Sequence, residues 1–270
     1  MYKSKYLNSK DAFKEQVFNP SITDNEVKDI EASIERIKDL LSFADYYLMV
    51  RDNCLDFIND CKSNGPGNDK TFIRSNRLFL NALNSYYVWQ EYGERHSINS
   101  AQRDYIHKIK NHGVLELANR IRHKGVHDNT PITSCSFDVL KGVSSFHIQI
   151  ESLFTEKERS SFNKKIHKYI GEGEIEAVTF IRDFLSEFNK LNLDIWNTLS
   201  SDYENDLNTL LRYVPVDALN MYNSEITNDN GTKTIHIGRT LELVAIKLEL
   251  INASNSIDLT PAYPQLTPNK

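Results

Sequence analysis

Residues 119–128 read Asn-Arg-Ile-Arg-His-Lys-Gly-Val-His-Asp, placing two arginines, a lysine and two histidines in one short stretch. Inside it, Arg122 is followed by the polar His123 and, after three further residues, by His127. Arginine is a permanent cation whose planar fork matches a phosphate in two-point fashion. Histidine takes or gives a proton near neutral pH. One holds a phosphate and neutralises its charge while the other moves a proton. That is a sufficient kit for breaking a phosphodiester without a metal.

Two other readings of the same residues have to be weighed. His123 and His127 are spaced i, i+4 and so share a helix face, as two zinc ligands would. No glutamate stands beside the first histidine, however, and a third ligand would have to come from His112, Cys135 or His147. No metal is therefore expected. Alternatively the stretch is a basic helix C-terminus, favoured only by the helix dipole. Geometry limits the catalytic reading too. In a regular helix five residues leave about 140° beyond one full turn, so Arg122 and His127 do not stack on one face. They converge if the helix ends or bulges near Gly125, or if a second copy of the site completes the arrangement.

The elements that must position these residues read as helices. Thr23 and Glu26 form a capping box ahead of an apolar stripe at Val27, Ile30, Ile34, Ile37, Leu40, Leu41, Ala44 and Leu48. The stripe skips at Arg51 and Asp52 and resumes at Leu55 and Ile58, so this is one unusually long helix or two with a break near Asp52. Residues 63–68 form a Gly-Pro-Gly loop. A second helix covers about 70–92, with Arg74, Arg77 and Asn81 sharing a face. A third is expected from Ser97 to about Asn111, where Gly113 offers a left-handed cap. The motif helix then runs from Val114 to about His127, and Pro131 forbids its continuation.

Beyond Ile132 the period changes. Residues 144–150 alternate and are rich in strand formers. Helical patterning returns at 157–169, 174–199 and 202–213. The Asn230-Gly231 pair between strand-like flanks signals a hairpin, with residues 235–237 as its returning strand. Residues 241–251 form a last amphipathic helix or strand.

The Arg122-His123-Lys124-Gly125-Val126-His127 run resembles the R-x4-H motif of the HEPN superfamily. The segment Asn76-Arg77-Leu78-Phe79-Leu80-Asn81-Ala82-Leu83-Asn84-Ser85 upstream looks like the helix that bears asparagine and arginine ahead of the motif in some of those proteins, with Asn81 and Asn84 either supporting the site or making buried hydrogen bonds between helices. The order of elements over roughly 25–155 is also similar. The resemblance implies a helical, dimeric, metal-independent endoribonuclease, of the kind found among toxins and antiphage defence effectors. Under it, Arg122 holds the scissile phosphate and His127 serves as general base or acid for attack by the ribose 2′-hydroxyl. The products are a 2′,3′-cyclic phosphate and a 5′-hydroxyl. Lys124, Arg77 and Asn81 support the substrate. His123 stands where the family more often carries Asn or Asp, which leaves its part in the chemistry open. The implied partners are RNA, a second copy of the chain sharing a composite site, and an antitoxin or activating partner. No cofactor is implied. The rival expectation is a non-catalytic module of the same shape that binds RNA or a partner protein.

Composition fits this picture. A net charge of −5 argues against general nucleic-acid affinity, but its distribution matters more. Between Arg95 and His127 there are seven basic and two acidic residues, a local +5, leaving −10 for the rest. Three cysteines cannot build a disulfide framework, and Cys54 and Cys61 stand two helical turns apart as core residues would. No apolar run is long enough for a membrane, and Met1 to Lys5 do not resemble a signal peptide. A cytoplasmic protein is expected. The fold class is mainly α, a HEPN-type bundle with a few short strands in the C-terminal half. Residues 1–155 would carry the motif, 156–252 a helical extension with a hairpin, and 253–270 a flexible tail.

Overall fold

The computed structural model describes residues 3–8, 15–16, 23–63, 69–96, 107, 113–127, 130–138, 140, 143–171, 173–212, 222–228, 231–235 and 237–254. In chain order the elements are β1 (Lys3–Asn8), β2 (Glu15–Gln16), α1 (Asp24–Ser63), α2 (Asp69–Arg95), α3 (Gly113–His127), β3 (Ser134–Asp138) and β4 (Val143–Gln149). They continue with α4 (Ile150–Leu153), α5 (Glu156–Ser160), α6 (Lys164–Tyr169), β5 (Glu174–Glu176), α7 (Ala177–Leu211), β6 (Tyr222–Asn228), β7 (Gly231–Ile235) and α8 (Ile237–Ser254). The protein is mainly helical, with a three-stranded antiparallel sheet, β3-β4-β5, in the C-terminal half. The loop expected from residue 64, the helix expected between 97 and 112 apart from His107, and the tail beyond 254 lie outside the described residues.

The chain forms two compact units. One comprises residues 46–193 and contains the motif. Its core is aromatic. Phe184 and Phe188 stack 5.9 Å apart, Tyr86 and Trp89 meet Phe188 edge-on at 5.5 and 4.9 Å, and Phe79 lies between Phe57 and Phe180. Rings of this size bury large apolar areas, and edge-to-face contacts add to that. Tyr47 stacks on Phe188, and its hydroxyl donates to Asn189 Oδ1 at 2.9 Å. That bond satisfies a phenol inside the core.

The long first helix does not break. Its buried stripe passes through Ala44, Tyr47, Val50, Cys54, Phe57 and Cys61. The gap inferred at Asp52 arises from following Leu48 rather than Tyr47 and Val50. The Arg51 guanidinium closes on Asp52 at 2.7 Å instead of interrupting the helix. Cys54 and Cys61 are buried as expected, and desolvation pushes both thiols far above the usual range.

The expectations for residues 157–213 are corrected at three points. Residues 157–169 are two short helices, because each start has its own cap. Thr155 and Glu158 make a reciprocal capping box for α5, and Asn163 Oδ1 accepts from Lys165 and Ile166 N–H to start α6. The helix expected from 174 starts at Ala177. Glu174–Glu176 instead pairs with β4, and the Glu176 carboxylate caps α7 through Val178 and Thr179 N–H. That helix then continues through residue 202 as one element.

The other unit is built from residues up to 45 together with 194–253. The capping box is present: Thr23 N–H donates to Glu26 Oε2 at 2.6 Å, and Glu26 N–H to Thr23 Oγ1 at 3.3 Å. Asp206 accepts from Ser33 Oγ at 2.9 Å and from the Arg36 fork at 2.5 and 2.9 Å. Arg36 holds that carboxyl below its ordinary range. The expected hairpin forms from β6 and β7, with Asn228 paired to Gly231, and β1 extends it into a four-stranded sheet. Residues from Ile237 belong to a helix, not to the returning strand.

Candidate functional site

The motif helix α3 buries Val114, Leu115, Leu117, Ala118 and Ile121, and packs this face against α2 and α6. Gly113 opens it with φ +44°, the left-handed geometry that glycine supplies without strain. The helix runs unbroken through Gly125 to His127, so no bulge there brings Arg122 and His127 together. Gly125 has a packing role. A Cβ at that position would lie 2.5 Å from Leu80 Cδ2 and 2.7 Å from Pro131 Cγ. Missing side-chain volume lets α3, α2 and the turn at Pro131 approach closely. Gly125→Val is therefore expected to cost about 1–3 kcal/mol through overpacking, despite the better helix propensity lent by any Cβ. Urea unfolding would measure that loss, and a variant as stable as wild type would contradict it.

Arg122 is the most specifically held residue of the motif. Its Nε–H donates to Asn84 Oδ1 at 3.0 Å, and its Cζ sits 3.9 Å from the centroid of the Tyr87 ring. Both partners lie on α2, three residues apart and thus on one face. The ring supports the guanidinium plane and the amide fixes one edge. The two terminal amino groups have no protein partner among the described residues. A cation braced in this way presents the very edge that grips phosphate in two-point fashion.

The neighbouring cations differ. Arg120 donates to Glu116 Oε1 from Nε at 2.9 Å and from a terminal nitrogen at 2.7 Å, and lies 4.9 Å over Phe162. Arg95 pairs with Glu91 at 2.8 Å. Lys124 pairs with Glu158 at 2.9 Å. Of the four described basic residues between 95 and 127, three are matched by carboxylates and Arg122 is not. Among the described residues of this stretch, Arg122 is thus the cation that no described carboxylate matches.

His123 and His127 are exposed at the end of α3, with ring centroids 4.8 Å apart. Arg77 and Asn81 are exposed on α2, on the same helix face as Asn84. Asn84, not Asn81, reaches Arg122. Arg74, which shares that face in sequence, is engaged at 2.8 Å by the buried Asp60. Among the described residues there is no group of three or more His, Cys, Asp or Glu side chains placed to hold a metal. His147 is occupied elsewhere, and His112 lies outside the described residues.

Three further residues organise the site; Asn76 and Asn84 lie in the asparagine- and arginine-bearing segment read upstream, and Tyr87 carries no motif signal. Asn84 and Tyr87 brace Arg122. Asn76 holds the chain just past the motif: its Oδ1 accepts from Ile132 N–H at 2.9 Å and its Nδ2 donates to Ile132 O at 3.1 Å. Glu158 is a fourth, 34 positions beyond Lys124. The Lys124 ammonium, then the Thr155 backbone N–H and hydroxyl, hold the Glu158 carboxyl down at about 2. A depressed folded value means the contact is intact above the ordinary carboxylate range and is lost as pH falls through about 2. An NMR titration should find the Glu158 carboxyl ionised down to that pH, and Lys124→Ala should move its midpoint upward. An unchanged midpoint in the variant would contradict the assigned cause.

Comparison with family models, curated proteins and solved structures returned no match. No described helix is long and apolar enough to cross a membrane.

Proposed function

We propose that the protein is a metal-independent endoribonuclease of HEPN type that acts as a homodimer, as a toxin or antiphage defence effector. The observation that carries this reading is the guanidinium of Arg122, braced by Asn84 and Tyr87 and left with an unmatched edge beside two exposed histidines. Arg122 binds the scissile phosphate and takes up the charge that grows on its oxygens during attack. His127 removes the proton of the ribose 2′-hydroxyl or supplies one to the leaving 5′-oxygen. The unbroken helix keeps these two groups about 140° apart in angle, so a second copy facing the first across a two-fold axis completes each site. His123 lies against His127 and orients it or binds the same phosphate. Lys124 serves the substrate only when it leaves Glu158, while Arg77 and Asn81 extend the polar track along α2.

The test uses a single-stranded oligoribonucleotide in the presence of EDTA. Cleavage should leave a 2′,3′-cyclic phosphate, and a strand with 2′-deoxyribose throughout should stay whole. Cleavage of the deoxy strand would contradict the mechanism.

A second reading has its own support. Ile73, Tyr87, Val88 and Val126 are exposed on the same two helices. Apolar side chains beside a cation suit a surface that binds RNA or a partner protein without turnover. Tight RNA binding with no cleavage under any condition favours that module.

A further inference from the structure

The solvent face of the β3-β4-β5 sheet holds a second group of chemistry-bearing residues that is separate from the motif. On β3, Ser134, Ser136 and Asp138 share a face; on β4, Ser145, His147 and Gln149; on β5, Glu174 and Glu176. Phe146, Ile148 and Ile175 point the other way and are buried, which fixes the orientation of all three strands. His147 is the only histidine on that polar face and sits on its central strand. Its Nδ1 is 2.6 Å from Glu174 Oε1 on one side. Its Nε2 is 3.2 Å from Ser136 Oγ on the other.

We propose that Ser136, His147 and Glu174 form a nucleophile–base–acid relay that hydrolyses small esters. The two contacts of the imidazole assign its tautomer. Nδ1–H donates to the Glu174 carboxylate, so Nε2 carries the lone pair that accepts the Ser136 hydroxyl proton. This is the division of labour that turns a serine hydroxyl into a nucleophile. Surface serines and histidines commonly meet water; here each ring nitrogen has a side-chain partner of the type its role needs. Glu176, the other carboxylate on the face, is occupied in capping α7, which leaves Glu174 to the imidazole. The backbone of His147 is fixed as well, its carbonyl accepting from Thr133 N–H at 2.9 Å.

The step balances without any cofactor. Ser136 Oγ attacks the ester carbonyl carbon while its proton passes to His147 Nε2. The resulting imidazolium is stabilised by ionised Glu174. The bond to the alcohol breaks, and His147 returns the proton to the departing oxygen. Water, deprotonated by His147, then attacks the acyl group on Ser136, and the acyl–Oγ bond breaks with the proton restored to serine. Ester and water give acid and alcohol. β3 is an edge strand of this sheet. Among the described side chains of this face, the neighbours Ser134, Ser145 and Gln149 are polar, which suits short acyl groups.

The experiment treats the full-length protein with a fluorophosphonate probe and maps the adduct by mass spectrometry, alongside hydrolysis of p-nitrophenyl acetate. The probe should modify Ser136, and Ser136→Ala and His147→Gln should each lower hydrolysis by roughly a hundred-fold or more. Glu174→Gln should lower it less, and this site does not rest on the ribonuclease reading. Ser136→Ala lies on a solvent face, and a circular-dichroism spectrum like that of wild type excludes misfolding as the cause. An unmodified Ser136 in folded wild type, or hydrolysis that survives Ser136→Ala, overturns the proposal.

Discussion

His127→Ala is expected to lower the rate of RNA cleavage by about 10²–10⁴-fold, the range that a positioned general acid–base contributes. Its binding of RNA should change little, because an exposed imidazole at a helix end adds little to ground-state contact. Arg122 is different in kind. Arg122→Lys keeps the charge but loses the fork, the Asn84 hydrogen bond and the stacking on Tyr87. A lysine ammonium is a mobile point charge, and the change should cost about 10²–10³-fold, comparable with removing a preorganised donor to a transition-state oxygen. Asn84→Ala acts only by freeing Arg122 to move, so it should cost less than Arg122→Lys and weaken with it in a non-additive way. Single-turnover cleavage of an oligoribonucleotide separates these effects from binding. Equal rates for wild type and Arg122→Lys would show that charge alone suffices and that the brace has no catalytic role.

The largest stability effect is expected at Asn76. It is almost fully buried, and its amide clamps both polar groups of Ile132, itself wholly buried. The side chain thus stands in for a neighbouring strand just where the chain leaves the motif helix and before β3 begins. Asn76→Leu would bury a backbone N–H and C=O without partners, each costing about 1–3 kcal/mol. Part is offset by the apolar gain of leucine, which leaves a net loss of about 3 kcal/mol. Asn76→Asp should do no better, since a carboxylate accepts from the N–H but cannot donate to the carbonyl, and it buries charge. A fall of that size in urea-unfolding free energy, with the slope of the transition unchanged, is the expected result. A loss below about 0.5 kcal/mol would mean that water replaces the clamp.

These two predictions mark the boundary of what was legible in the sequence. Local signals read well: the Thr23–Glu26 box, the buried Cys54 and Cys61, the alternating strand around Phe146 and Ile148, and a hairpin ahead of Gly231 are each encoded within a few residues. The end of α3 at His127 was legible as well, since Pro131 forbids its continuation. Asn84 was legible as one of two asparagines able to bond between helices, but its pairing with Arg122 was not. Asn81 and Asn84 differ by one helical step, and which of them meets the guanidinium depends on how α2 crosses α3. That is a matter of packing, set in part by the missing Cβ at Gly125. The strand at Lys3–Asn8 had no pattern of its own because its order comes from pairing with Tyr222–Asn228, more than two hundred residues away. Lys124 read as a residue supporting the substrate because the carboxylate that holds it arrives only with α5.

The central claim is that Arg122 and His127 cut RNA without a metal. The most direct measurement incubates folded wild type, Arg122→Ala and His127→Ala with total cellular RNA in EDTA, with all three matched in oligomeric state. Cleavage by wild type alone is the predicted result. Cleavage undiminished in both variants would contradict the assignment of the site, and wild-type cleavage abolished by EDTA would contradict the chemistry.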